Sequence, residues 1–213
     1  MTLTVLSICA CGSDELSISI ELSNGNNRSS EKFIISTAAY TQMRISKGEC
    51  SIELYEKLER EAKIHSAYKR ALYILGYGAC SKKTLISKLI AKGFERDASE
   101  AAVERISEFG FINDSSSALR EAEICAAKLW GETRIRYSLL QKGYSRDDID
   151  LALFALEDSG IDFAESCKKL IKSKYGTPPT ERAAVQKMIS ALLRYGYSVS
   201  QIKSACADIL DEE

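Results

Sequence analysis

Two prolines occur in 213 residues, side by side at Pro178-Pro179, and there is one histidine, His65. The scarcity of proline leaves most of the chain free to form long helices. A lone histidine, with no Cys-x-x-Cys among the seven cysteines at 9, 11, 50, 80, 125, 167 and 206, gives no zinc-ligand spacing. Cys125, Cys167 and Cys206 fall in helix-period segments, where cysteine serves as a small apolar core residue, and free thiols in this number suit a reducing, cytoplasmic setting. No apolar run reaches the roughly 18 residues of a membrane helix. The opening MTLTVLSICACG is apolar but lacks a basic leader region and passes into alternation, so it reads as a strand. A phosphate loop is missing as well, since Gly76-Tyr77-Gly78 is not followed by Lys and Ser/Thr. His65 has no identifiable nucleophile and reads as a helix-surface or boundary residue, and Asp147-Asp148 reads as a helix-start charge pair. These absences point away from an enzyme, a metal or a cofactor. A formal net charge of -1 also removes any bulk attraction for nucleic acid.

The chain that remains divides in two. Over residues 1–50, Leu3, Val5 and Leu6 lie in a β-rich run. Leu16, Ile18, Ile20 and Leu22 alternate with polar residues, Asn24-Gly25 marks a turn, Phe33-Ile34-Ile35 supplies a third strand, and Ser46-Lys47-Gly48-Glu49 reads as a further turn. This unit is too short for much core of its own and is expected to pack on the helical segment next in the chain. From Ser51 the period becomes helical, through a connecting helix over 51–66.

A repeat then begins. Gly93, Gly143 and Gly196 each precede an aromatic, Phe94, Tyr144 and Tyr197. Leu85 and Leu89, Ile135 and Leu139, and Met188 and Leu192 stand at the same offsets before them; Ala102, Ala152 and Ala205 stand at one offset after. The glycines suit left-handed helix ends. Ser145 with Asp148, and Ser198 with Gln201, read as caps of the next helix, and in the first copy Asp97 takes that part. The expected fold is mainly α: three tandem three-helix repeats over 67–110, 111–160 and 161–213, in an elongated curved body behind a small β-rich N-terminal unit. The prolines suit a kinked start to a helix in the third copy.

The remaining chemistry is basic helix surface. Lys82, Lys83, Lys88 and Lys92 flank the first glycine step, Lys128, Arg134, Arg136 and Lys142 the second, and Lys187 and Arg194 the third. Singly these are solvated charges; repeated, they make a stripe that could follow a polyanion or an acidic protein groove. Trp130 reads as a core plug or an interface anchor.

The run Lys128, Gly131, Arg134-Ile135, Leu139, Lys142-Gly143 and Ile149 resembles the bacterial RecX regulatory proteins, as do Ser81, Leu85, Leu89, Lys92-Gly93-Phe94 and Gly110-Phe111-Ile112-Asn113-Asp114. The resemblance covers about residues 67–210. It implies a cytoplasmic, monomeric, non-enzymatic modulator that lies in the groove of the RecA–DNA filament and inhibits its ATPase and strand exchange, in recombination, DNA repair and the SOS response. The basic surface supplies the expected contacts with RecA, and weakly with single- or double-stranded DNA: Lys82, Lys83, Lys92, Lys128, Arg134, Arg136, Lys142 and Arg194. The family often places arginines before the first-repeat serine, where this chain reads Gly76-Tyr77-Gly78-Ala79. Two other classes fit the helical pattern. A helix-turn-helix transcription regulator would need base-reading side chains on one of the third helices, which here carry mostly acidic and small residues, as in Asp147-Asp148-Ile149-Asp150. The other is an α-repeat adaptor for some other protein.

Overall fold

The computed structural model describes residues 2–25 and 27–211. Two compact units arise, one from Met1–Gly78 with Leu85–Phe111, the other from Ala79–Thr84 with Ile112–Glu213.

The first unit starts with strands β1 (Thr2–Ala10), β2 (Glu15–Asn24) and β3 (Asn27–Ser36), then helix α1 (Thr37–Met43) and strand β4 (Gly48–Cys50). The sheet is antiparallel in the order β3-β2-β1-β4. Alternation puts Leu3, Val5, Ile18, Ile20, Phe33 and Ile35 on one buried face, where Leu58 of the next helix joins their cluster. The small β unit therefore completes its core on the helix behind it. Gly48 and Glu49, expected in a turn, instead pair with Val5 and Thr4, because the free side of β1 satisfies their main chain.

Helix α2 (Ile52–Gly76) runs 25 residues without a break. The expected limit between residues 66 and 67 falls inside it. Helix α4 (Arg96–Glu108) packs on α2 through Ala98 and Ala102 against Ile64 and Ala67, and α3 (Lys82–Ala91) lies between them in sequence. Arg105 makes a bidentate pair with Glu61 at 2.7 and 3.1 Å. His65, expected at the helix surface or a boundary, is 7% exposed, with Nε2 3.1 Å from Glu15 Oε1. The sheet that docks on α2 encloses it, and no periodicity within the helix could show that.

The second unit holds α5 (Asp114–Ala127), α6 (Glu132–Gln141) and α7 (Arg146–Asp158), then α8 (Phe163–Tyr175), α9 (Arg182–Arg194) and α10 (Val199–Leu210). The first three enclose Ala118, Ala122, Cys125, Ile135, Leu139 and Leu156; the second three enclose Cys167, Leu170, Met188, Leu192, Ile202 and Ala205. The chain is thus mainly α, three helix triplets behind a small sheet. Burial pushes the Cys167 thiol up to about 12 and raises that of Cys125, which makes both inert packing groups. No group of three or more His, Cys, Asp or Glu side chains able to hold a metal occurs among the described residues. No helix of the described residues is long and apolar enough to cross a membrane.

The repeat glycines behave alike. Gly93, Gly143 and Gly196 have φ of +91°, +83° and +95°. The amide of the aromatic after each returns to the carbonyl of Leu89, Leu139 or Leu192, closing the helix end. At the next helix starts Ser145 Oγ accepts from Asp148 N at 3.0 Å, and Ser198 forms a reciprocal box with Gln201. In the first repeat Glu95 takes the cap position with no side-chain cap bond. Asp97 already lies inside the helix, too late to cap it, and Ser99 Oγ bonds Glu95 O at 2.8 Å. Ser145→Ala and Ser198→Ala should each cost about 1 kcal/mol in urea unfolding, and Glu95→Ala less, since it removes no cap bond and only an exposed ion pair with Lys63.

Candidate functional site

Two joints within the second unit place the candidate surface. Gly131 caps α6 without a side chain, and a Cβ there would lie 2.6 Å from Tyr197 N. Gly131 N donates to Tyr195 O at 2.7 Å and Thr133 N to Gly196 O at 3.2 Å. The last carbonyls of α9 thus meet the first amides of α6, two sets of helix-end groups that otherwise lack partners. A Cβ on Gly196 would come 2.5 Å from Arg134 Cβ. Two glycines let main chain meet main chain. Leu129, at φ +55°, turns its side chain to the third repeat's core, and its carbonyl accepts from Tyr197 Oη at 2.8 Å.

Side chains build the earlier joint. Ser81 Oγ donates to Lys142 O at 2.6 Å, and Thr84 Oγ1 donates to the same oxygen at 2.7 Å. Ser81 also accepts Thr84 N at 3.2 Å, and Lys82 N donates to the Asp114 carboxylate at 3.0 Å. Burial raises the Asp114 pKa, while the Lys82 amide acts the other way. Ser81 is 1% exposed. Ser81→Ala therefore leaves Lys142 O with one donor and removes the helix cap, and should lower stability by about 2 kcal/mol in urea unfolding. A loss no larger than that of Ser145→Ala would show that the joint adds nothing to the cap.

The glycine joint brings together a ladder of cations and aromatic rings. Arg134 Cζ lies 4.0 Å from the Trp130 ring centroid and 5.1 Å from that of Tyr195. Lys128 Nζ lies 5.6 Å from the Trp130 centroid. Lys174 Nζ is 4.2 Å from the Tyr195 centroid and donates to its Oη at 2.8 Å, holding that phenol below its ordinary pKa. Trp130 is half-buried against the second repeat's core, so it is both packing residue and platform. Stacked in this way, the Arg134 guanidinium is oriented by both rings, which suits recognition of anionic groups.

A second cluster lies in the first unit. Arg70, Lys88 and Lys92 share a shallow groove of about 420 Å³ with Tyr73, Ile74 and Tyr77. Arg70 Cζ sits 4.7 Å from the Tyr73 centroid, and the two tyrosine hydroxyls are 2.7 Å apart. Tyr73 and Tyr77 are 53% and 79% exposed. Another cavity of this unit, about 950 Å³, is lined by Glu61, His65 and Arg105 among others. These groups bond one another or a neighbour, Glu61 to Arg105 and His65 to Glu15.

Of the residues singled out in the sequence, Lys128 and Arg134 enter the ladder and Lys92 the first-unit groove. Arg136 is held by Glu132 at 3.2 Å and by Asp150, and these two carboxylates, Asp150 foremost, raise its pKa. Lys142 pairs with Glu121 through its ammonium while its carbonyl builds the joint. Lys82 is half-buried at the head of α3, Lys83 is exposed beside it, and Arg194 is exposed in the last turn of α9.

A family profile described as "RecX, first three-helix domain" matches residues 67–105, which run from the second half of α2 through α3 into α4. The Regulatory protein RecX of Xanthomonas axonopodis pv. citri (strain 306) is 32% identical over 150 residues, 70% of this chain and 91% of that protein. The chain belongs to the RecX family. The Regulatory protein RecX of Stenotrophomonas maltophilia (strain R551-3) is 28% identical over 148 residues, 69% of this chain and 89% of that one. Among solved structures, one titled "Crystal structure of regulatory protein RecX" superposes with a TM-score of 0.72 at 23% identity, covering 95% of this chain and 99% of that chain. RecX from Lactobacillus salivarius gives 0.60 at 21% identity, over 69% and 96%. At these identities the two structures speak for the RecX fold.

Within this RecX fold, sequence reasoning missed Tyr195, Lys174, Arg70, Tyr73 and Tyr77. Arg70, Tyr73 and Tyr77 are spaced three and four apart on α2, a face that a search for aromatic residues beside cations would have found. Trp130 and Arg134 carry the same spacing across a helix start. Tyr195 and Lys174 offered no such local signal, because they reach Arg134 from the next repeat.

Proposed function

We propose that this RecX-family chain is a non-enzymatic regulator that binds the RecA–DNA filament and lowers its ATPase and strand-exchange activity. The observation that carries the reading is the kinship with proteins named Regulatory protein RecX over 91% of the relative's length. The cation–aromatic ladder supports it, for it offers fixed positive charge to an acidic protein groove or a phosphodiester chain without any reactive group. Lys128 and Arg134 are its centre, Lys82, Lys83 and Arg194 add exposed or half-buried charge in the same unit, Lys92 does so in the first unit, and Arg136 and Lys142 contribute less because carboxylates already hold them. Direct binding to DNA is weak at a net charge of -1. No observation favours the transcription-regulator reading: in α7 Arg146 is followed by Asp147, Asp148 and Asp150, and α10 carries Lys203 as its one cation.

The test is the ATPase of RecA filaments on single-stranded DNA, with the RecA of the same organism at physiological salt. Addition of this chain well below one molecule per RecA should slow hydrolysis. Unchanged hydrolysis, together with no binding to the filament, would refute the reading.

A further inference from the structure

The free edge of β3 carries an inference that does not depend on RecA. Among the described residues β3 pairs with β2 alone, at the border of the sheet. The direction of its main-chain groups follows from the register. In an antiparallel pair, residues that exchange hydrogen bonds alternate with residues that do not. Thr37 N donates to Asp14 O at 3.1 Å, one step beyond the Glu15–Ser36 pair. The odd-numbered residues of β3 therefore bond to β2, and the N–H and C=O groups of Ser30, Lys32 and Ile34 point outward.

Those groups border a groove. Lys32, Phe33 and Ile34 line a volume of about 540 Å³ with Ala62, Lys63 and Lys69 of α2. Successive strand residues point to opposite faces, so a groove that touches all three lies along the strand's edge. α2 forms its far wall. An edge strand with a helix alongside and a slot between them is the arrangement that accepts an added strand.

We propose that this groove receives an extended segment of a partner protein as a fifth strand on β3. The main chain selects the occupant, because outward N–H and C=O groups at Lys32 and Ile34 need donors and acceptors in alternation. A phosphodiester chain brings acceptors and no matching donors. The side chains set the pattern. One set of the added strand's side chains meets Ala62 and Phe33, which are apolar. The other lies beside Ile34, 40% exposed, and Lys32. The rim has Lys32, Lys63 and Lys69 against Glu59. Lys63 is shared by Glu59 and Glu95, and Lys69 is held by Glu15, while Lys32 has no ion pair among the described residues. The segment is thus one that alternates apolar and acidic residues, with a carboxylate facing Lys32.

The probe is an acetylated, amidated heptapeptide alternating glutamate and valine, titrated into the full chain and followed by backbone amide NMR. The amides of Lys32 and Ile34 and the facing side of α2 should shift on addition. Ile34→Pro removes an outward N–H and no β2 bond, so it should leave the fold intact and weaken binding about tenfold or more. The same peptide N-methylated at alternate residues cannot pair and should not bind; it keeps the test decisive if the proline variant fails to fold. An absence of shifts along β3, equal binding by the N-methylated peptide, or oligo(dT) producing the β3 shifts instead would overturn the proposal. So would self-association through β3, seen as a concentration-dependent dimer that Ile34→Pro abolishes.

Discussion

Gly196→Ala should destabilise the chain by about 3 kcal/mol, the sum of an overpacked contact and a left-handed backbone imposed on alanine. The new methyl would press on Arg134 Cβ at 2.5 Å and on Gly131 O at 2.8 Å. Main chain on both sides leaves no flexible side chain to move away. Gly131→Ala separates the two causes. Its φ of -78° suits any residue, so its loss, about 2 kcal/mol, comes from contact alone. Gly160→Ala is the complement: φ is +91° with nothing within 4 Å of the added Cβ, and the loss should be about 1 kcal/mol. Urea unfolding followed at Trp130 reads all three. Equal midpoints for Gly196→Ala and Gly160→Ala would mean that the joint yields without cost.

Arg134→Ala should reduce affinity for the RecA–DNA filament by about tenfold or more, with the fold retained, as expected of an arginine anchor fixed between aromatic rings. Arg134→Lys should recover part of this loss, since it restores charge without the planar stack. Arg136→Ala, two residues on, should change affinity by no more than about threefold, because Glu132 and Asp150 already neutralise that guanidinium at an exposed site. Filament binding measured by anisotropy, with circular dichroism to verify folding, gives the comparison. Wild-type affinity for Arg134→Ala would remove the ladder from the interface. A larger loss at Arg136 than at Arg134 would mean that its ion pairs open when the partner binds.

These two arginines mark how far the sequence could be read. Both stood out as basic residues beside the second glycine step. Trp130, four residues before Arg134, gives that arginine one ring locally; the second ring, Tyr195, arrives only through the Gly131–Gly196 contact. The helix ends were legible because a glycine before an aromatic signals a left-handed turn through local sterics. The strands of the N-terminal unit were legible because strict alternation fits a half-buried strand. Helix α1 and strand β4 were not. A helix of 7 residues shows too little periodicity, and a strand of 3 residues exists because β1 pairs with it. The cap expected at Asp97 failed by two positions, a shift that composition cannot resolve when Glu95, Arg96 and Asp97 all tolerate a helix start.

The sequence alone determined the period of each segment, the glycine hinges, the serine caps and the threefold recurrence, for these rest on interactions within a few residues along the chain. It also determined what the chain lacks, a metal-ligand spacing and a phosphate loop. The tertiary structure decided which charges are engaged and which are offered. It put Arg136 and Lys142 in ion pairs and Arg134 on Trp130, closed the sheet over His65, and turned the main chain of Lys32 and Ile34 toward an open groove. Trp130 and Glu132 stand four residues before Arg134 and Arg136 and leave a trace in the local spacing of residues. Asp150, Glu121, Tyr195 and Glu15 are brought close by packing and leave none.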